Sequence, residues 1–111
     1  MKRRPAILVS LAAATLVAVP SAAYAEISAS TSGSYAYTSN NFTRANANDT
    51  VCDGTNRIAY ANWNNLSGNR VQAYGGCGTT ASATVSSITS IRACVDVKDN
   101  PDPCSNWSYR P

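Results

Sequence analysis

Four cysteines in a short chain with little else to hold it together constrain this protein more than any other feature. Cys52, Cys77, Cys94 and Cys104 are the whole set, and the sequence has no histidine. Their spacings of 25, 17 and 10 residues lack the close pairs of a structural zinc site. An even number of cysteines in so small a chain reads as a disulfide framework built in an oxidising compartment. No cofactor or metal is expected.

The N-terminal residues agree with that compartment. Met1-Lys2-Arg3-Arg4 is basic, Ile7 to Val19 is an Ala/Leu/Val-rich run, and Ala23-Tyr24-Ala25 is a small-x-small cleavage signal. Residues 1–25 are therefore expected to be a signal peptide, and the protein to be secreted and extracellular. The apolar run is too short and too rich in small residues to span a bilayer. Cleavage after Ala25 leaves Glu26–Pro111. There Arg44, Arg57, Arg70, Arg92, Lys98 and Arg110 balance Glu26, Asp49, Asp53, Asp96, Asp99 and Asp102. The formal charge of +3 on the full chain thus sits in the leader. Without a basic stripe to neutralise phosphates, no nucleic-acid partner is expected. Anionic membrane surfaces lose their pull for the same reason.

One small domain is the ceiling at this size. The strong apolar side chains after residue 25 are few, and burying most of them only just offsets the ordering entropy. Cross-links are expected to supply the rest. Four cysteines permit three pairings, and the local pattern favours Cys52–Cys77 with Cys94–Cys104. Ile91, Ala93, Val95 and Val97 alternate with Arg92, Cys94 and Asp96. After the Lys98–Pro103 turn, Ser105, Trp107 and Tyr109 alternate with Cys104, Asn106 and Ser108. Two period-2 patterns joined by Pro, Asp and Asn predict a β-hairpin with the cysteines meeting across it and Val95, Val97, Trp107 and Tyr109 facing inward. In the chain-entropy picture the Cys94–Cys104 loop is worth about 3 kcal/mol and the Cys52–Cys77 loop slightly more.

Along the rest of the chain, residues 26–34 are small, polar and without period, and read as a flexible N-terminal arm. Ser34–Thr38 alternates, placing Tyr35 and Tyr37 on one face of a short strand. Arg57–Trp63 predicts a strand and Arg70–Tyr74 its hairpin partner, with a break at 64–69. That pairing brings Cys52 near Cys77. Gly75-Gly76-Cys77-Gly78 marks a tight turn or bulge. Thr79 to Val97 suits one long strand or two with a bulge. No segment carries a helical period. The sum is a single all-β domain over 35–111, a disulfide-stapled sandwich or barrel of about five to seven short strands.

Chemistry is scarce. Without histidine, and with one lysine and one glutamate after residue 25, the chain lacks the usual general base, Ser-His and Cys-His nucleophiles, and glutamate pairs. Lys98 lies in a turn among Asp96, Asp99 and Asp102, a poor setting for a Ser–Lys nucleophile pair. Asp96, Asp99, Asn100 and Asp102 offer calcium-type oxygens, but residues of these kinds also build an ordinary solvated turn. Sequons begin at Asn41, Asn48, Asn65 and Asn106, as expected in a chain rich in Asn, Ser and Thr. The aromatics divide. Trp63, Trp107 and Tyr109 suit a core, whereas Tyr35 and Tyr37 fit either a core or a contact surface. An arm beside an edge strand is also the equipment for strand addition to a partner.

The stretch Ser90-Ile91-Arg92-Ala93-Cys94-Val95-Asp96-Val97, with Asp102-Pro103-Cys104-Ser105-Asn106-Trp107, resembles the C-terminal signature of small secreted actinobacterial four-cysteine proteins. The likeness extends over roughly residues 50–110. Among such proteins are the adaptor subunits of umbrella toxin particles. That resemblance implies a β body docked on a large repeat-containing toxin polypeptide and an N-terminal arm inserted into a lectin subunit. The arm and the strand beside it supply the candidate partner-binding residues: Glu26, Ile27, Ser28, Ala29, Ser30, Thr31, Ser32, Tyr35 and Tyr37.

The function expected is a non-enzymatic protein-binding module, an adaptor in an extracellular antibacterial toxin complex. The alternatives are a stand-alone enzyme inhibitor or small toxin, and a carbohydrate-binding module using Trp63 or the Tyr35/Tyr37 pair. Deleting Glu26 to Ser34 is expected on this reading to weaken one partnership and spare folding.

Overall fold

The computed structural model describes residues 25–52 and 57–111. The expected signal peptide, apart from Ala25, lies outside the described residues. So does Asp53. The described chain is all β: β1 (Ser28–Thr31), β2 (Ser34–Ser39), β3 (Arg44–Asp49), β4 (Arg57–Trp63), β5 (Leu66–Gln72), β6 (Thr80–Thr84), β7 (Ser90–Val97) and β8 (Ser108–Tyr109). They form two four-stranded antiparallel sheets, ordered β1-β2-β3-β6 and β5-β4-β7-β8.

The inner faces are built largely from alanine. Ala36, Ala45 and Ala47 of the first sheet and Ala61 and Ala93 of the second are all fully buried. Phe42, Trp63, Ile27, Ile88 and Ile91 fill the space between them, with Val71, Ala83 and Val85 at the margin. Period-2 alternation produces this layer, since residues two apart on a strand share a face. Polar side chains also intrude on this layer, among them Asp49, which accepts from the Val51 amide at 3.3 Å. Ser34 donates to the Tyr60 carbonyl at 3.3 Å, and Thr38 accepts from the Ile27 amide at 3.0 Å.

Both disulfides pair as the sequence pattern favours. Cys52–Cys77 ties the β3–β4 connection to the β5–β6 connection, and Cys94–Cys104 crosses from β7 to the C-terminal segment. Two bridges of this kind are consistent with an oxidising, extracellular setting.

The residues expected as a flexible arm form an ordered edge of the first sheet. Ser28, Ala29, Ser30 and Thr31 pair with Tyr37, Ala36, Tyr35 and Ser34 through a two-residue turn at Ser32-Gly33, where Gly33 has φ 96°. Ile27 sits in the core, 8% exposed. Glu26 latches the next turn. Its carboxylate accepts from the Asn41 amide at 2.9 Å, the Phe42 amide at 3.2 Å and the Thr38 hydroxyl at 2.7 Å. Asn40, Asn41 and Phe42 are all left-handed, with φ between 53° and 62°. That conformation is unfavourable for Phe and is held by the Glu26 bonds and burial of the ring. The domain therefore starts at Glu26 rather than residue 35, and removing Glu26–Ser34 strips a strand from the sheet.

Three further details revise or sharpen the expected layout. The β4–β5 hairpin turns at Asn64-Asn65, both at φ 57°, so β5 begins at Leu66. Two consecutive left-handed residues are the type I′ geometry that matches strand twist. Ladder pairing jumps from Asn62–Arg70 to Trp63–Leu66, leaving Ser67–Asn69 as a bulge. Thr79 to Val97 divides into β6 and β7 in different sheets. The crossing between them is fixed by Val85 and Ile88 amides donating to the Thr43 and Phe42 carbonyls at 2.8 and 2.9 Å.

The third detail is a correction at the C-terminus. Cys104 lies opposite Cys94, but Ser108 lies opposite Ile91. The chain takes four steps on one side and three on the other, so one residue is extra. A one-residue slip sends side chains to the opposite face. Tyr109 now pairs with Ser90 instead of sharing the inner face with Ile91, and is 59% exposed. Trp107 is half-buried against Arg92 on the outer face rather than in the core.

Candidate functional site

The outer face of the β1-β2-β3-β6 sheet carries the tyrosine pair picked out in the sequence. Cross-strand partners share a face, which places Ser30, Tyr35, Asn48 and Thr80 in one row and Ser28, Tyr37, Asn46 and Ser82 in the next. The Tyr35 and Tyr37 rings stack with centroids 5.3 Å apart and planes inclined by 27°. Tyr35 is 41% exposed.

Between the strands, hydroxyls and amides bond to one another. Asn46 donates to the Tyr37 carbonyl and the Ser39 hydroxyl, both at 3.0 Å, and accepts from Ser82 at 2.6 Å. Asn48 donates to the Thr80 hydroxyl at 2.7 Å. The only charge contributed by these strands to the outer face is Arg44, at its edge. Tyr, Ser and Asn on a rigid support make a contact surface of low conformational-entropy cost.

The nine candidate partner-binding residues therefore separate. Ser28, Ser30, Tyr35 and Tyr37 come together on this face. Ser32 is exposed at the β1–β2 turn, and Ala29 and Thr31 are half-buried in β1. Ile27 belongs to the core, and the Glu26 carboxylate is engaged with the β2–β3 turn.

The opposite outer face, on β5-β4-β7-β8, has different chemistry, and sequence reasoning did not single it out. Tyr60 and Asn62 project from β4 away from the alanine layer yet are 4% and 0% exposed. Arg70 from β5 lies over the Tyr60 ring at 3.6 Å and pairs with Asp96 of β7 at 3.0 Å. Arg92 lies over Trp107 at 4.7 Å and donates through Nε to Asn62 Oδ1 at 3.0 Å. Asn62 also donates to the Ser67 and Asn69 carbonyls at 3.2 and 3.0 Å, pinning the β5 bulge.

Tyr60 donates its hydroxyl to Asp102 at 2.6 Å, and Asp102 also accepts from the Val97 amide at 3.2 Å. Burial, followed by this bond and the Asp102 charge, pushes the Tyr60 hydroxyl from 10.0 up to about 12. Tyr60 is thus a fixed proton donor that holds the C-terminal segment down.

The acidic turn is occupied with itself. Asp96 and Asp102 serve Arg70 and Tyr60, Asn100 donates to the Lys98 carbonyl at 3.1 Å, and Asp99 is left-handed at φ 63°. Among the described residues no three His, Cys, Asp or Glu side chains converge. Trp63, one of the two sugar-platform candidates, is 9% exposed and packed in the core, so it offers no ring to a ligand.

The sequence did contain one signal for the second face. Arg92 occupies the register opposite to Ile91 and Ala93 in β7, a long charged side chain between two buried apolar ones. The other half, Trp107, was hidden by the bulge. Compared with known proteins, the chain matches no family, no curated protein and no solved structure.

Proposed function

We propose that this chain is an exported, non-enzymatic protein-binding module that acts as an adaptor between subunits of an extracellular antibacterial toxin complex. The observation that carries the contact reading is the stacked Tyr35–Tyr37 pair beside Ser28, Ser30, Asn48 and Thr80. It is an exposed aromatic surface on a sheet held by cross-strand bonds and stapled by two disulfides. The toxin-complex setting rests on the likeness of the Ser90–Trp107 segment to secreted actinobacterial four-cysteine proteins. A large repeat-containing toxin and a lectin subunit are the partners that likeness implies. The contact is assigned to the face bearing Ser28, Ser30, Tyr35 and Tyr37. Glu26 and Ile27 support it from within the fold.

The test is affinity purification of tagged protein from culture supernatant, with Y35S/Y37S run in parallel. Capture of a large repeat protein and a lectin by the parent chain, with loss of at least one in the variant, supports the adaptor. Recovery of a lone monomer from both overturns it. A second reading has one observation in its favour: stacked tyrosines flanked by amides and hydroxyls also suit a neutral sugar. Glycan-array binding abolished by Y35S/Y37S would select a carbohydrate-binding module instead.

A further inference from the structure

The two arginines of the β5-β4-β7-β8 outer face stand on either side of Asn62, which pairs with Arg70 on one strand and Arg92 on the other. They are satisfied very differently. Arg70 has a carboxylate at 3.0 Å, an amide oxygen of Gln72 on Nε at 3.0 Å and the Tyr60 ring beneath it. Arg92 has the Trp107 ring and the Asn62 oxygen, but among the described residues no carboxylate within ion-pair distance.

The guanidinium of Arg92 is nevertheless held in place. Asn62 is fully buried and anchored at its own amide nitrogen by two backbone carbonyls, so its oxygen fixes Nε. The indole of Trp107 fixes the plane. A planar, always-charged fork, half-buried and restrained in this way, loses little freedom when it meets a carboxylate. Charge-assisted bidentate bonds are also stronger where water is partly excluded.

We propose that Arg92, stacked on Trp107, is the seat for an Asp or Glu side chain from an acidic segment of a protein partner. This gives the adaptor a second contact surface, on the sheet opposite the tyrosine face, and it rests on the contact reading above. Charge complementarity selects the occupant. Arg92 is one fork rather than a basic stripe, and the charges of Glu26–Pro111 balance, which disfavours a polyanion such as nucleic acid. Arg, Trp and Tyr are also the residue types that dominate protein–protein hot spots.

The experiment titrates isotope-labelled, fully oxidised protein with a short capped peptide alternating Glu and Ser, and with its Gln/Ser counterpart. It follows the side-chain N–H signals of every arginine and tryptophan. The expected result is a saturable shift at Arg92 and Trp107 with the Glu peptide, no such shift with the Gln peptide, and binding about tenfold weaker in R92K. The lysine keeps the charge and loses the fork. Equal responses at Arg44, Arg57 and Arg110, or equal response to the Gln peptide, would overturn the assignment. So would unchanged affinity in R92K.

Should R92K disturb the fold, W107L is the second variant. It leaves the guanidinium and removes the stack, and undiminished affinity there overturns the proposal equally. Capture of partners through Tyr35 and Tyr37 is read separately, so failure at Arg92 leaves that result standing.

Discussion

Asn46 and Asn62 occupy matching places on the two outer faces, each buried in the centre of its sheet and each using both ends of its amide. Their surroundings differ. Asn46 bonds within a carpet of short hydroxyl side chains belonging to the strands themselves. Asn62 lies beneath long side chains and a covering segment, and it fixes a bulge, an arginine and, through Arg92, the position of Trp107. One face is finished by its own strands. The other is finished by chain that has to be brought back from Cys104 onward, and its order depends on what fastens that return.

The sharpest way to break this contrast is to cut the fastening. C94A/C104A should cost about 3 kcal/mol or more by chemical denaturation, because it frees the return segment and empties a fully buried site. Stability within a few tenths of a kcal/mol of the parent would show that β7 and Asp102 hold the segment unaided.

Next come the amides themselves. N62A should cost about 2 kcal/mol, removing the side-chain donor from two carbonyls and the acceptor from Arg92 Nε, and N46A about 1 kcal/mol, since small neighbouring hydroxyls can re-pair or reach water. Equal losses in matched unfolding curves would erase the distinction between the faces.

The smallest effect is in pH. Unfolding releases a tyrosine proton near pH 10, whereas folded Tyr60 keeps its proton until about 12. The native state binds that proton more tightly. Its contribution is therefore complete below pH 10 and is lost as the pH rises toward 12. Tyrosinate absorbance should show one late-ionising group in the folded parent, and D102N should bring it earlier by removing the charge and one of the two oxygens that accept from Tyr60 and the Val97 amide. An unchanged titration in D102N would mean that Tyr60 owes its shift to burial alone.

Sequence reading captured what residue chemistry announces locally. The disulfide pairs followed from cysteines placed just outside strands or opposite each other across a turn, and the common face of Tyr35 and Tyr37 followed from a two-residue period. It missed β1 because Ser, Ala and Thr differ too little in polarity to show alternation. Only the Ser32-Gly33 turn carried a signal. It found the large core side chains but not the layer they pack against, because Ala36, Ala45, Ala47, Ala61 and Ala93 are too small to stand out, and it placed Tyr109 inside when that ring stays outside. The position of Trp107 was lost to one extra residue between Cys104 and Ser108, a counting feature with no compositional mark. The second face was only half legible for that reason: Arg92 stood out in its strand and Trp107 did not.

The alanine-lined interior carries a consequence for how such a scaffold can diversify. A methyl group is the smallest side chain that still packs, so replacing Ala36, Ala47 or Ala61 with valine or leucine would wedge apart layers that have nowhere to go. Exterior positions such as Tyr35 and Ser30 face no such wall. New specificities can be written on the outside of this sandwich while its middle stays nearly frozen.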